Sequence, residues 1–126
     1  MRVFVVDDSP LVRERLVVLL SEVEGVEVVG VADNAEEGIS SIKTLNPDVA
    51  ILDIRMPAGS GILVLEAVKR EEDPPFIIML TNYPYPQYRK KCMDAGADCF
   101  FDKSSEFHKV TDVLAGMVQQ ESESQK

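Results

Sequence analysis

Five short apolar runs, each followed by a segment with helical spacing, constrain this chain more than any other feature. The runs are Val3 to Val6, Val26 to Val31, Val49 to Leu52, Phe76 to Leu80 and Cys99 to Phe101. Alternation of this kind specifies an α/β domain with a parallel sheet, because a crossover helix returns the chain to the end of the sheet it started from. Most of the runs are solidly apolar rather than alternating, as strands covered on both faces must be. The run Val26 to Val31, interrupted by Glu27, reads as an edge strand.

Helix punctuation supports the same division. Ser9 is an N-cap with Pro10 at the first helical position, and Val12, Leu16, Leu19, Leu20 and Val23 make one apolar stripe that ends at Gly25. A second helix starts after Asp33 or Asn34, turns Ile39, Ile42 and Leu45 inward and stops before Pro47. The third runs from Gly61 to Arg70 with Ile62, Leu65 and Val68 inward, and the short, polar fourth from Pro86 to Ala95, closing at Gly96. Ser104 and Ser105 read as caps of the fifth, whose Phe107, Val110, Val113, Leu114 and Met117 line one face. The domain is expected to occupy residues 1–120, with 121–126 (ESESQK) a polar tail that frays.

At 126 residues the chain has the length of one domain, and no linker or repeat divides it. Thirteen basic residues against 22 acidic ones give a net charge of -9. That balance disfavours direct nucleic-acid binding and favours divalent cations and basic partner patches. Cys92 and Cys99 are too few for a disulfide framework or a four-ligand zinc site, which points to a reduced, cytoplasmic protein. No run approaches the roughly 18 apolar residues of a membrane span, so no membrane insertion is expected.

In a parallel sheet every strand's C-terminal end opens on one edge, and ligands bind there. Asp7 and Asp8 follow the first run, Asp53 the third, Thr81 the fourth, and Asp102 and Lys103 the fifth. Singly, each has a plain structural explanation, as a helix-terminal acid, a turn residue or a solvated charge. Together, placed after four different strands, they put carboxylates, a hydroxyl and an ammonium on one edge. Clustered carboxylates invite a hard cation such as Mg²⁺. A carboxylate beside that cation can attack phosphorus to form an acyl phosphate, with Lys103 and Thr81 meeting the developing charge.

On the motifs VVDDSP, AILDIRMP, MLTN and CFFDKS the chain resembles the CheY-like receiver domain of two-component response regulators over essentially its whole length. Thr81 follows Asp53 by 28 residues, and Phe100 precedes Lys103 by three. The resemblance implies a doubly wound sheet of order 2-1-3-4-5. It implies that Asp53 is the phosphoryl acceptor, with Mg²⁺ (Mn²⁺ able to substitute) held by Asp8, Asp53 and the backbone carbonyl of Arg55, and by Asp7 through water. It further implies that Lys103 pairs with the phosphoryl oxygens, that Thr81 closes onto them and that Phe100 swings inward behind Thr81. Phe101, on the other face of its strand, serves as the control position.

The implied partners are a histidine kinase or histidine phosphotransfer protein and a downstream protein target, which binds the surface of the fourth helix, fifth strand and fifth helix. The implied protein is a signalling switch with self-catalysed phosphoryl transfer and autodephosphorylation rather than a metabolic enzyme, a monomer or a weak phosphorylation-dependent dimer. The chain ends about 20 residues after Lys103, so a stand-alone regulator without an output domain is expected. Four positions depart from the family pattern: Asn82 for a small residue, Ser104 for proline, Ser60 for an acid and Phe100 for tyrosine. Asn82 is expected to restrict access or slow phosphoryl exchange. Tyr83 and Arg55 flank the acceptor and are expected to tune phosphoryl lifetime, whereas Tyr83 and Tyr85 beside Pro84 and Pro86 are either a docking face or a rigid loop. Arg89, Lys90, Lys91 and His108 read as surface residues.

Three other functions fit less well. An aspartyl-nucleophile phosphatase places its nucleophile after the first strand and carries a cap insertion, which is missing here. A flavin carrier needs a phosphate-cradling loop where DDSP stands. A scaffold that has lost phosphorylation remains open through Asn82 and Ser104.

Overall fold

The computed structural model describes residues 1–56 and 59–124. Pro57 and Ala58, in the expected loop after Asp53, lie outside the described residues, as do 125 and 126. The elements in chain order are β1 (Arg2–Val6), α1 (Pro10–Ser21), β2 (Glu27–Ala32), α2 (Ala35–Leu45), β3 (Val49–Leu52), β4 (Arg55–Met56), β5 (Gly59–Ser60), α3 (Gly61–Lys69), β6 (Phe76–Thr81), α4 (Pro86–Asp94), β7 (Cys99–Asp102) and α5 (Lys109–Ser124). The main sheet is parallel, of order β2-β1-β3-β6-β7, which is the expected 2-1-3-4-5 once the small β4–β5 hairpin is set aside.

Period-two alternation in the strands divides the core into two layers. Phe4, Val6, Ala50, Leu52, Ile77, Met79 and Phe100 face α2, α3 and α4, while Val3, Val5, Val49, Ile51, Ile78 and Leu80 face α1 and α5 through Leu16, Leu20, Val110 and Leu114. Each fully buried aliphatic side chain contributes about 1.5–3 kcal/mol, so the central strands β1, β3 and β6 anchor the sheet. β2 lies at the edge, with Glu27 exposed.

The caps follow the sequence, with exceptions. The Ser9 Oγ accepts the Val12 amide at 3.3 Å, the Asn34 Oδ1 accepts the Glu37 amide at 2.9 Å, and Pro86 opens α4. α1 ends at Ser21, before the expected Gly25, because the amides of Glu22 and Val23 close back onto Leu19 and Leu20. Ser104 and Ser105 do not cap α5, which begins at Lys109; the segment between forms turns instead. α5 also continues to Ser124, into the stretch expected to fray. Both cysteines are free, and burial pushes the Cys92 thiol up to about 11, leaving it a core residue. No helix of the described residues is long and apolar enough to cross a membrane.

Candidate functional site

The backbone ladder continues one step past three of the strands, and these extra bonds place the polar residues. The Asp7 amide donates to Ala32 O at 3.0 Å, the Asp53 amide to Val6 O at 2.9 Å and the Lys103 amide to Thr81 O at 2.8 Å. Because β1 neighbours β3 and β6 neighbours β7, the sheet sets Asp7 beside Asp53 and Thr81 beside Lys103.

Lys103 bridges the two acids: its Nζ lies 2.7 Å from Asp7 Oδ2 and 3.1 Å from Asp53 Oδ2. The remaining carboxylate oxygens are held by backbone, with the Ile54 amide donating to Asp53 Oδ1 at 2.8 Å and the Ser9 amide to Asp7 Oδ1 at 2.9 Å. Arg13, one turn into α1, donates to the Asp7 carbonyl at 2.7 Å. Asp53 is 5% exposed and Asp7 is buried, whereas Asp8 is open to solvent.

Burial pushes the Asp53 carboxyl up to about 6, and Asp7 adds to the rise; the nearby Lys103 charge opposes it without cancelling it. Burial would lower the Lys103 ammonium, but its hydrogen bond to Asp7 and the charges of Asp53 and Asp7 outweigh that and hold it above the ordinary amine value.

With Asp53 near 6 folded and 3.8 unfolded, its contribution is fully present below pH 3.8 and is lost as pH rises through about 6. Above that, an ionised Asp53 strains the metal-free fold by about 3 kcal/mol before solvent relaxation and by about 1 after it. Asp53→Asn is therefore expected to raise Tm in EDTA by about 4 °C at pH 7.5 and by much less at pH 4.5, read by circular dichroism melts at both pH values. An equal change at the two would show that the charge is not the cause.

Carboxylate oxygens of Asp7, Asp8 and Asp53 lie within 4.8 Å of one another. Three carboxylates against one ammonium leave two negative charges, which suits a divalent, oxygen-seeking cation. Asp102 is not in this group; its Oδ1 accepts the Ser104 amide at 2.9 Å and the Ser104 hydroxyl at 2.7 Å.

Thr81 is fully buried at the same edge, and its Oγ1 accepts the Tyr83 amide at 3.0 Å. Arg55 stacks its guanidinium 4.4 Å from the Tyr83 ring centre, and Tyr83, Tyr85 and Tyr88 follow one another along the entrance to α4. Phe100 is 3% exposed and already packed inward, with Arg89 5.6 Å above its ring and donating to its carbonyl. Phe101 packs in the opposite layer, as the control position requires. Ser60, where the family favours an acid, caps α3 by accepting the Ile62 amide at 3.1 Å. The Lys103–Ser104 peptide is trans, like every other among the described residues.

Sequence reasoning missed the β4–β5 hairpin, the bond from the Gly61 amide to Ile54 O at 2.8 Å, and the supporting roles of Arg13 and Arg89. Arg13 had a readable signal, since it lies in the first turn of a helix that begins just after the acidic pair.

This fold, with an acidic trio and a lysine at the C-terminal edge of its sheet, defines a receiver-type α/β domain. Residues 3–115 match the family model described as the response regulator receiver domain, and the chain belongs to that family. It is 37% identical over 121 residues to the transcriptional regulatory protein BtsR of Escherichia coli K12, covering 96% of this chain and 49% of that protein. The chain thus spans about half the length of this curated relative. The receiver domain of the response regulator NarL from Mycobacterium tuberculosis superposes with a TM-score of 0.85 at 35% identity, over 94% of this chain and 95% of that one. The CheX–CheY complex with BeF3 and Mg²⁺ from Borrelia burgdorferi contains a chain that superposes at 0.77 and 28% identity, over 90% and 89%.

Proposed function

We propose that this protein is a phosphorylation switch of a two-component system in which Asp53 accepts a phosphoryl group from a histidine kinase or phosphotransfer protein. The observation that carries the reading is the buried Asp53 carboxylate, shared with Lys103 at 3.1 Å and clustered with Asp7 and Asp8. A structural neighbour that holds BeF3 together with Mg²⁺ supports it.

An Asp53 carboxylate oxygen supplies the electron pair that forms the new O–P bond, and the P–N or P–O bond to the donor breaks with its electrons leaving on the donor. With its carboxyl near 6, Asp53 is mostly ionised at pH 7 and competent to attack. Lys103 already touches the acceptor oxygen and exchanges that contact for one with the transferred phosphoryl group. Asp8, Asp53 and the Arg55 carbonyl would hold Mg²⁺, with Asp7, whose carboxylate makes the shorter contact to Lys103, acting through water. When bound, the ion offsets the charge of the phosphoryl oxygens.

Thr81 receives Tyr83 through a lone pair, so its hydroxyl hydrogen is available to a phosphoryl oxygen. Turning the hydroxyl that way disturbs Tyr83, its Arg55 stack and the entrance to α4. The signal reaches the α4–β7–α5 surface by this route and through Phe100, which is packed inward. A protein partner reads that surface.

The test is intact-mass spectrometry of wild type and Asp53→Asn after incubation with acetyl phosphate, with and without Mg²⁺. One Mg²⁺-dependent phosphoryl adduct is expected on wild type and none on Asp53→Asn. Equal labelling of both would show that the acceptor lies elsewhere. No adduct on wild type, from acetyl phosphate or from a panel of phosphorylated histidine kinases, would favour a scaffold.

A further inference from the structure

The ammonium of Lys103 is useful only where it sits, between Asp7 and Asp53, and a lysine side chain has four torsions with which to leave. Its backbone is fixed on one side by the bond from its amide to Thr81 O. On the other side the chain leaves β7 through Ser104, a residue with no ring to fix its φ.

What holds that side is a closed clasp. The Asp102 carboxylate spans Lys103 to take both the amide and the hydroxyl of Ser104. The Asp102 carbonyl accepts the Glu106 amide at 2.8 Å, while the Asp102 amide donates to Glu106 Oε1 at 3.1 Å. Lys109 Nζ holds the other Glu106 oxygen at 2.7 Å. Lys103 is therefore the second residue of a turn tied along both edges, and all the ties run to residues 102 and 106.

We propose that Asp102 is a positioning residue for phosphoryl transfer, setting the direction in which Lys103 leaves the backbone through its hold on Ser104. The proposal rests on the reading of Asp53 as acceptor. Asp102 is not among the clustered carboxylates, and its own carboxylate is bonded to Ser104. Its carboxylate does the restraining that a rigid ring after the lysine would otherwise do, by hydrogen bonds rather than covalently. Asn is the informative replacement, because it keeps the acceptor oxygen and loses only the charge; Ala loses both.

Two readouts on the full chain test this. The first is competitive acylation of amines with acetic anhydride, followed by peptide mapping, which reports how often Lys103 leaves its ion pairs and does not depend on phosphorylation. Asp102→Ala is expected to raise Lys103 labelling about tenfold while Lys69, which is bound to Asp98 on the far side of the domain, stays within about twofold; Asp102→Asn is expected to stay within about threefold at Lys103. The second is the rate of adduct formation from acetyl phosphate, expected to fall about tenfold in Asp102→Ala and to recover in Asp102→Asn. Unchanged Lys103 labelling in Asp102→Ala, or a rise shared equally by Lys69, would overturn the proposal. Should wild type take no adduct, the acceptor reading fails, while the acylation pattern still decides whether Asp102 holds Lys103.

Discussion

Gly61→Ala is expected to destabilise the domain by about 3 kcal/mol or more and to abolish phosphoryl labelling at Asp53, although it adds one methyl group. A Cβ built at Gly61 falls 1.7 Å from the Asp53 carbonyl oxygen and 2.7 Å from its carbon, with the Ile54 Cα at 3.3 Å. All three are backbone atoms, so no side chain can swing aside. The Gly61 amide is meanwhile bonded to Ile54 O at 2.8 Å, which holds the two segments together at the start of α3. Relief requires moving either α3 or the Asp53–Ile54 segment, and the second displaces the amide that holds Asp53 Oδ1. Gly116 in α5 is the control, because nothing lies within 4 Å of a Cβ there. Gly116→Ala is expected to gain roughly 0.5–1 kcal/mol, the ordinary benefit of replacing glycine inside a helix. Urea titrations of the two variants, with mass spectrometry of each after acetyl phosphate, measure both effects. Similar stabilities would mean that the approach of Gly61 to Asp53 does not constrain the fold.

Sequence pattern revealed the sheet because the strands' environment is uniform. Val49 to Leu52 is apolar at every position since both faces of β3 are covered, and its boundaries match the strand residue for residue. The polar residues were legible as strand-end residues: a chain of this class has nowhere else to put Asp53 or Lys103. Their pairing was not. That Lys103 bonds Asp7 more closely than Asp53 depends on where a long side chain settles, and periodicity carries no such information.

The errors cluster where local polar chemistry competes with helix formation. Ser104 and Ser105 have the composition of helix caps, but Asp102 is near enough to take Ser104 first, and the chain completes its turns before α5 can start. At Ser9 the same spacing leaves the cap intact, because Asp7 takes only the amide and the hydroxyl stays free to accept Val12, whereas Asp102 takes both the amide and the hydroxyl of Ser104. The hairpin of Arg55–Met56 and Gly59–Ser60 was invisible for a different reason: with two residues a side it has no periodicity to detect. Phe100 was legible as an aromatic in the right place, but its inward packing under Arg89 depends on a residue eleven positions earlier in the chain, brought there by α4.

Removing the Lys103 ammonium tests the electrostatics of the site as a whole. Lys103→Met keeps most of the side chain's length and apolar contact while leaving Asp7 and Asp53 side by side in a buried setting. In EDTA the variant is expected to lose about 3 kcal/mol, the usual cost of breaking a buried ion pair from one side. Asp53 limits the loss, because a carboxyl already raised to about 6 takes up a proton once its cation is gone. Millimolar Mg²⁺ is expected to recover most of the stability, since a dication among Asp7, Asp8 and Asp53 offsets the same repulsion. Phosphoryl transfer is expected to stay down by about 10²- to 10³-fold in that Mg²⁺, because the cation balances the resting carboxylates but cannot replace the ammonium facing the transferred group. Adding Asp7→Asn should restore stability in EDTA without restoring the rate, as neighbours sharing one charge are not additive. Urea titrations with and without Mg²⁺, set beside labelling rates, separate the two roles. Loss of stability that Mg²⁺ leaves untouched would mean Lys103 holds the fold through packing, and an unaltered rate would remove it from the chemistry.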